Sequence, residues 1–327
     1  MISLAAVALL VGCTSVQAPS ASPLATTSPA GEASPSPAAA FPKTVKHALG
    51  TTEIPAPPER IVVLNHYSLL DYLLALNVPP IGSTGDPASD YPFASYLEGR
   101  TEGVEMVGGG EEPNLEQIAA LAPDLILANP WQEDIYAELS EIGPTVGVPL
   151  SYSDYLTEFR WVAHLIGRTD AAEDLIADHE ARIAEVEELL SNRAGELELS
   201  AVRIFPDSAR VEGDSYVTTL LRSAGFALSP VHADPAGAEL SLERIPELDA
   251  DAIVVYSAAN AQLEADNAAA REEWLDSPLW DNLAAAQADQ VYVVDSFLWA
   301  GGGFVWAEAM LDDLEQLLRT EDPQPID

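Results

Sequence analysis

The sequence predicts an α/β protein of two lobes, each with a mostly parallel central sheet, joined by a single long α-helix. Short β-branched runs alternate with helical patterns along the chain, which is the βαβ arrangement of a parallel sheet. Residues 113–128 (PNLEQIAALAPDLILA) align without gaps on residues 240–255 (LSLERIPELDADAIVV), so the two halves repeat one another. The longest helical segment, 170–192, lies between these halves and can join them rigidly.

The first residues of the chain predict export. An apolar run ends in Leu10-Val11-Gly12 and is followed by Cys13, the single cysteine of the chain. A small residue ahead of the cysteine is typical of a bacterial lipoprotein signal, in which residues 1–12 are removed and the thiol carries a lipid. The basic residue that usually precedes the apolar run is missing, and an ordinary secretory signal is the alternative. We therefore expect an extracytoplasmic protein anchored to the cell membrane, at the cell surface or in the periplasm.

The lipidated cysteine and a tether are predicted to occupy residues 13–42. This stretch contains six prolines, abundant Ser, Thr and Ala, and one charged residue, Glu32. Such a composition cannot bury a core and stays extended in solvent. No later run approaches the roughly 18 to 20 apolar residues of a membrane span, so Cys13 is the only anchor that the sequence predicts.

The N-terminal lobe is predicted to span residues 43–157. Three apolar runs supply strands of its sheet, at 60–64, 78–82 and 124–128. Between the first two, Ser68 to Leu76 is apolar at helical spacing, and Asn77 tolerates the left-handed conformation that ends a helix.

The helical region, residues 158–194, contains the linking helix, from Asp170 to about Asn192. At 1.5 Å per residue this helix would span roughly 30 to 35 Å. The C-terminal lobe, 195–320, takes strands from 200–205, 252–256 and 290–294, and a tail, 321–327, follows it.

Each copy of the repeat opens with a capping residue, Asn114 or Ser241, followed by a short helix that leads into a buried strand. The acidic residue of each helix, Glu116 or Glu243, falls in the first turn. The helix dipole favours a carboxylate there by about 0.3 to 1 kcal/mol, so capping alone is a sufficient reason for both glutamates.

The charge balance is strongly acidic. The chain has 53 Asp and Glu against 14 Lys and Arg, a formal net charge of −39, and only two lysines. Repulsion of this size excludes nucleic acid as a partner. It also favours neutral or cationic small ligands over trianionic ones. Salt screens the long-range repulsion beyond roughly 10 Å at 0.1 M, which leaves local arginines free to override it. With no cysteine after Cys13, packing alone must hold the exported fold.

The motifs of an enzyme are absent from the sequence, and no catalytic residue is predicted. There is no G-x-S-x-G elbow, no H-E-x-x-H and no available thiol nucleophile. The glycine triplets at 108–110 and 301–303 lack nucleotide-binding spacing and predict tight turns near a cleft. The adjacent acids Glu111 and Glu112 leave a secreted hydrolase as an alternative. A metal-ion receptor is another, but the five histidines show no close-spaced pair, and no metal site or cofactor is predicted.

Candidate ligand-binding residues follow from the rule that ligands lie beyond the carboxyl ends of parallel strands. Aromatic rings offer rigid flat area to a ligand, and an arginine can bond chelating oxygens. Core packing is an equally good account of each residue alone, but the set recurs after successive strands in both lobes. Its members are His66, Tyr67, Trp131, Arg210, Tyr216, Tyr256 and Trp299.

From residue 45 to residue 318 the sequence resembles the substrate-binding lipoproteins of ABC importers for ferric siderophores, whose relatives bind cobalamin or haem. The resemblance rests on several motifs together, because each is weak alone. They are His47 to Pro55 (HALGTTEIP), Pro58 and Arg60, Leu70 to Leu76 (LDYLLAL), Val107-Gly108, Pro113 to Glu116 (PNLE), Pro123 to Ile126 (PDLI), Trp299 and the closing helix around Leu311 to Leu318.

The resemblance implies a class III periplasmic binding protein fold, in which the cleft between the lobes clamps the ligand with little hinge motion. It implies a monomeric receptor for a ferric siderophore, with a cobalamin or haem receptor as the alternative within the family. In that family one glutamate on each lobe docks onto a dimeric permease, and the matching residues here are Glu116 and Glu243.

Overall fold

A computed structural model of the chain describes residues 41–191, 197–259 and 264–319. The predicted signal peptide, Cys13, the tether as far as residue 40 and the tail at 321–327 lie outside the described residues. Among the described helices, none is long and apolar enough to cross a membrane. The fold is α/β with two separate central sheets, which confirms the predicted class.

The N-terminal lobe surrounds a five-stranded parallel sheet, preceded by an antiparallel hairpin of β1 (Lys43–His47) and β2 (Gly50–Ile54). The sheet strands are β3 (Ile61–Val63), β4 (Gly82–Gly85), β5 (Glu105–Gly109), β6 (Leu125–Ala128) and β7 (Thr145–Gly147). They are connected in part by α1 (Ser68–Ala75), α2 (Leu115–Ala120) and α3 (Tyr136–Ile142). The strand order is β5-β4-β3-β6-β7. Residues of β3 and β6 are buried on both faces, as the strands of a covered parallel sheet must be.

The end of α1 confirms the predicted role of Asn77, which adopts φ 54°. The N–H of Asn77 donates to the carbonyl of Leu74, and that of Val78 donates to the carbonyl of Leu73, which is the Schellman arrangement. The predicted strand at 78–82 begins later than expected. The ladder of β4 starts only at Gly82, because Pro79 and Pro80 have no N–H to donate.

The linking region contains α4 (Tyr155–Ile166) and α5 (Thr169–Ser191). Gly167 ends α4 with φ 77°, a conformation that favours glycine. The 23 residues of α5 confirm the long helix expected at 170–192. This helix packs against α4 on one side and against the last helix of the chain on the other.

The C-terminal lobe surrounds a six-stranded mixed sheet. Its strands are β8 (Glu198–Phe205), β9 (Ser208–Val211), β10 (Ala227–Leu228), β11 (Ala238–Leu240), β12 (Ala252–Ser257) and β13 (Val291–Val293). Its helices are α6 (Tyr216–Ser223), α7 (Glu264–Leu275), α8 (Ala284–Gln287), α9 (Ser296–Trp299) and α10 (Phe304–Arg319). Strand β8 is central, between antiparallel β9 and parallel β12, and β13 and β11 lie at the two ends of the order.

The internal repeat is structurally unequal. In the first copy the side chain of Asn114 accepts a hydrogen bond from the N–H of Gln117 at 3.1 Å and caps α2, as predicted. In the second copy the corresponding segment, Leu242–Leu248, is a 3₁₀-helix, and the side chain of Ser241, which precedes it, makes no such capping bond. Pro246 explains the difference, because its missing N–H and its ring are incompatible with a regular α-helix interior.

The largest cluster of buried apolar residues includes side chains from both lobes, from Ile54 to Leu318. Asp71 of α1 joins the lobes within this cluster. Its buried carboxylate accepts hydrogen bonds from the backbone N–H groups of Phe304, Val305 and Trp306 at 2.5, 2.8 and 2.8 Å, and so caps the first turn of α10. The lobes therefore share one core rather than meeting at a simple surface contact.

Candidate functional site

A cleft opens beyond the carboxyl ends of the strands and consists of two adjoining cavities. The smaller cavity has a volume of about 290 Å³ and the larger about 540 Å³. Tyr67, Tyr152 and Ala259 line both. Because the walls come from the ends of β3 and β6 in one lobe and of β8 and β12 in the other, the cleft lies where parallel sheets expose their binding crevice.

The candidate residues predicted from the sequence are distributed over this cleft. His66 and Trp131 line the larger cavity, and Tyr67 lies between the two cavities. The smaller cavity is lined by Tyr216, Tyr256 and Trp299. Arg210 is the exception, because it lines neither of the two.

A row of three aromatic rings crosses the cleft from one lobe to the other. The rings of Trp131 and Tyr152 are stacked with centroids 5.7 Å apart, and those of Tyr152 and Tyr216 are 5.9 Å apart. The Trp131 side chain is 56% exposed, so its face is open to a ligand. We call Trp131, Tyr152 and Tyr216 the aromatic row. Tyr152 was not predicted, since it belongs to no strand end and its position depends on the loop before α4.

Two asparagines fix the turn that presents His66 and Tyr67. The Asn65 side-chain oxygen accepts hydrogen bonds from the N–H groups of Tyr67 and Ser68, at 3.0 and 2.9 Å. The Asn65 amide donates to the side-chain oxygen of Asn129 at 2.8 Å. The ends of β3 and β6 are thereby tied together at the floor of the larger cavity.

His66 is a neutral group in the cavity wall. Burial lowers its pKa to about 4, and the nearby charge of Asp86 only partly opposes this. Its Nδ1 atom is buried without a hydrogen-bond partner among the described residues. The ring lies 4.1 Å from that of Tyr67, and the Tyr67 hydroxyl donates across the cleft to the carbonyl of Ala259 at 3.4 Å.

The arginine that lines the smaller cavity is Arg203, not the predicted Arg210. Glu212 lies between them: Arg203 Nη1 is 3.6 Å from one carboxylate oxygen and Arg210 Nε is 3.5 Å from the other. The two arginines oppose each other in the β8–β9 ladder, so Arg210 stands one strand farther from the cavity, where it also bonds the carbonyl of Ala236 at 2.6 Å. The Nε–H of Arg203 is buried and has no partner in the described part of the chain.

Tyr256 and Trp299 form the floor of the smaller cavity. Both are almost completely buried, with ring centroids 6.1 Å apart, and the Trp299 indole N–H donates to Asp313 at 2.7 Å. The predicted turns at the glycine triplets also lie at the cleft. Gly302 lets its loop approach Tyr216 closely, because a Cβ atom there would lie 2.2 Å from the Tyr216 ring.

The charges around the cleft are predominantly acidic. Asp86, Glu111 and Glu112 line the larger cavity, and the residues described around that cavity include no lysine or arginine. Arg203 and Glu212 line the smaller one. Four carboxylates therefore face the cleft against a single guanidinium group. Within the described residues, no group of three or more His, Cys, Asp or Glu side chains could hold a bare metal ion.

Glu116 and Glu243 lie outside the cleft, at equivalent positions of the internal repeat. Glu116 is in the first turn of α2 and Glu243 in the first turn of the 3₁₀-helix Leu242–Leu248. Both side chains are exposed. Hydrogen bonds from its own backbone and from the Ser241 side chain lower the pKa of Glu243, so this carboxylate is ionised at neutral pH.

Comparison with known proteins gives a consistent result. A family model described as "Periplasmic binding protein" matches residues 62–298. The chain is 33% identical to the probable siderophore-binding lipoprotein YfiY of Bacillus subtilis (strain 168), over 84% of this chain and 86% of that protein. It is 30% identical to the Fe(3+)-citrate-binding protein YfmC of the same organism, over 76% of this chain and 77% of the relative.

Solved structures show the same likeness. The crystal structure of Staphylococcus aureus SirA complexed with staphyloferrin B matches with a TM-score of 0.74 and 30% identity. The match covers 85% of this chain and 99% of SirA.

Proposed function

The chain belongs to the periplasmic binding protein family, and from this we propose that it is an extracytoplasmic receptor that binds a ferric siderophore and delivers it to an ABC importer. The observation that carries the proposal is the aromatic-walled cleft between the lobes. Its cavities are open, lined by rings from both sheets, and of the size that small-molecule sites have. The family consists of binding proteins, and we propose no catalytic step.

The names of the relatives support a siderophore over cobalamin or haem. Their names refer to siderophores and to ferric citrate. An iron complex would enter this site as cargo, since the described side chains do not themselves form a metal centre. Chelating oxygens of such a complex are the natural acceptors for the unpartnered Nε–H of Arg203.

The local charges favour a neutral or cationic ferric complex, such as a ferric hydroxamate. A trianionic catecholate complex would have to enter beside four carboxylates with a single arginine to offset them. At the short distances inside a cleft, salt screens this repulsion only weakly.

Ligand titration tests the proposal directly. The quenching of tryptophan fluorescence, with Trp131 as the exposed reporter, would be measured for a ferric hydroxamate, a ferric catecholate, ferric citrate, haemin and cobalamin. Calorimetry would confirm each response. We expect the tightest binding for the hydroxamate. Binding of haemin or cobalamin alone would overturn the siderophore assignment, and tight catecholate binding without hydroxamate binding would overturn the charge argument.

We also propose that Cys13 is the lipidated N-terminus of the mature protein. The apolar run before it, Gly12 and the tether composition support this, and two of the similar proteins are named lipoproteins. Mass spectrometry of the mature N-terminus tests it. Cleavage at any other residue, with no lipid, would contradict the proposal.

For delivery, we propose that Glu116 and Glu243 dock the receptor onto a dimeric permease. Their exposure and their equivalent places in the two copies of the repeat support this role. A partner with two-fold symmetry needs similar charges on both lobes of a monomeric receptor. The unequal caps of the two copies add support. The segment of the second copy is not an α-helix and still has a glutamate, Glu243, at the same place, so stabilisation of an α-helix is not the common reason for both glutamates.

A further inference from the structure

Glu158 of α4 is a buried carboxylate placed behind the cleft. Its side chain lies among the buried polar groups, with the residue only 3% exposed. It is not one of the residues described above as lining either cavity. The conformation of the aromatic row nevertheless depends on its two oxygens.

One oxygen of Glu158 holds the loop that carries Tyr152. It accepts hydrogen bonds from the N–H of Ser151 at 2.5 Å, from the Ser151 hydroxyl at 2.8 Å and from the N–H of Tyr152 at 3.0 Å. Tyr152 has φ 59°, a left-handed conformation that residues with a side chain rarely adopt. The bonds to Glu158 hold the backbone in this conformation and so direct the ring between Trp131 and Tyr216.

The other oxygen holds the third ring of the row. It accepts hydrogen bonds from the Tyr216 hydroxyl at 2.5 Å and from the Tyr72 hydroxyl at 2.9 Å. Tyr72 belongs to α1 of the N-terminal lobe and Tyr216 to α6 of the C-terminal lobe. Burial above all, and then the charge of Glu158, raise the pKa of the Tyr216 phenol, which keeps this hydroxyl a donor at neutral pH.

Five hydrogen bonds thus converge on one carboxylate, from helices of both lobes and from the loop before α4. Two residues of the aromatic row are bonded to it, Tyr152 through its backbone N–H and Tyr216 through its hydroxyl. The ring of Trp131 stacks on that of Tyr152. A side chain needed only for packing would require no such arrangement, because an apolar residue of similar volume fills a core position at lower desolvation cost.

We infer that Glu158 is a positioning residue that sets the ligand specificity of the cleft by fixing Tyr152 and Tyr216, without touching the ligand itself. The inference rests on the proposed function, since it assumes that the ferric complex lies against the aromatic row. Loosening the carboxylate should therefore change the relative affinity for complexes of different shape as well as the affinity itself.

Glu158→Gln tests this with minimal change of shape. An amide has one acceptor oxygen where the carboxylate has two, so either the two phenols or the loop N–H groups must face an NH₂ group. The phenols can turn and accept from it, which preserves packing while the charge-assisted bonds are lost. We expect the affinity for a ferric hydroxamate to fall about tenfold or more. We also expect its ratio to the affinity for ferric citrate to change by at least about threefold.

Glu308→Gln is the matched control. Glu308 is also a carboxylate bonded to a buried side chain, His179 of the linking helix, but it lies outside both cavities. This change should alter the thermal unfolding midpoint and leave affinity and selectivity as in the wild type. Near-ultraviolet circular dichroism, which reports the packing of aromatic rings, should change for Glu158→Gln even without ligand.

Tyr216→Phe keeps the inference testable if Glu158→Gln does not fold, because it removes one phenol and leaves the carboxylate bonded. It should shift the selectivity in the same direction. In the double variant the two effects should be less than additive, as expected for groups acting through one contact.

Wild-type selectivity in both Glu158→Gln and Tyr216→Phe, with only the unfolding midpoint lowered, would overturn the inference. Failure of the wild-type protein to bind any ferric complex would instead refute the proposed function. The dichroism of the ligand-free variants would still decide whether Glu158 orders the aromatic row.

Discussion

The contribution of His66 to the free energy of unfolding depends on pH. Its pKa is about 4 in the folded protein, against 6.5 as its ordinary value. Between these values the unfolded chain binds more protons than the folded one. The contribution of His66 is therefore complete above pH 6.5 and is lost progressively as the pH falls from 6.5 to 4. The titratable groups that face the ring, Asp86 and Tyr67, do not cancel this direction.

We expect the free energy of unfolding of the wild type to fall between pH 7 and pH 4.5 by about 1 to 3 kcal/mol more than that of His66→Asn. Urea denaturation of both proteins at the two pH values measures the difference. Equal losses in the two proteins would show that His66 is not held neutral by the fold.

Gly302 should be required for ligand binding although it has no side chain. In Gly302→Ala the new Cβ would meet the Tyr216 ring at 2.2 Å, so either this ring or the loop of Gly302 must shift at the wall of the smaller cavity. We expect affinity for the ferric complex to fall by about tenfold. Unchanged affinity in Gly302→Ala would contradict the steric account.

For single residues, the sequence predicted the aromatic residues that line the cleft better than the charged ones. Tyr67, Tyr216 and Trp131 follow strand or turn positions that the sequence marks clearly. Arg203 was missed because it lies inside a predicted strand rather than beyond its end. Arg203 lies two residues after Ala201 and so on the same face of β8. A charged side chain inside a strand needs a partner such as Glu212, and this is the signal that could have identified it.

Among the elements, α10 depends on a cap supplied by the other lobe. Asp71 of α1 bonds the N–H groups of the first turn of α10, and all of these groups are buried. Asp71→Ala would leave them without an acceptor, and we expect it to lower the free energy of unfolding by about 2 to 4 kcal/mol.

Asp154→Ala provides the comparison for this prediction. Asp154 caps α4 from its own segment at the surface, through one hydrogen bond to the N–H of Thr157 at 3.0 Å. Its removal should cost about 1 kcal/mol. Urea denaturation curves of the two variants measure both costs, and equal costs would refute a special role for Asp71.

Element types were easier to predict than element limits. The long helix was found almost to the residue, because its apolar stripe is uninterrupted. The sequence predicts too early a start for β4. Proline is compatible with an extended backbone, but it has no N–H to donate to the neighbouring strand of a sheet. The bond from Asp71 to α10 could not be found, since its partners are 233 to 235 positions apart in the sequence.

For the whole molecule, the paired glutamates predict a separation of binding from transport. In the double variant Glu116→Ala/Glu243→Ala we expect unchanged affinity for the ferric complex, because neither side chain lies at the cleft. Stimulation of the importer's ATPase and uptake in cells should be lost. Glu102→Ala/Glu272→Ala removes the same charge from two other exposed positions and should transport normally. Normal uptake by the first variant would mean that the two glutamates only stabilise the first turns of their helices.

The net charge of −39 predicts that the folded protein gains stability with salt. Like charges packed into a compact structure repel one another more than in an unfolded chain, and salt screens this repulsion. We expect the thermal unfolding midpoint to rise by about 4 °C or more between 0.05 and 1 M NaCl. KCl should have the same effect, because screening depends on ionic strength. A midpoint that does not change would mean that the acidic side chains are far enough apart for their repulsion not to lower the stability of the folded protein.

The bond between Asp71 and the start of α10 also constrains the order in which the chain can fold. A buried carboxylate without its partners is costly, and its partners are made only when synthesis has reached residue 306. The shared core imposes the same delay, because its members extend to Leu318. The first lobe therefore cannot finish folding while the rest of the chain is still being synthesised. If the chain is exported as proposed, this delay leaves the N-terminal part without its final core for as long as the C-terminal helix has not been made.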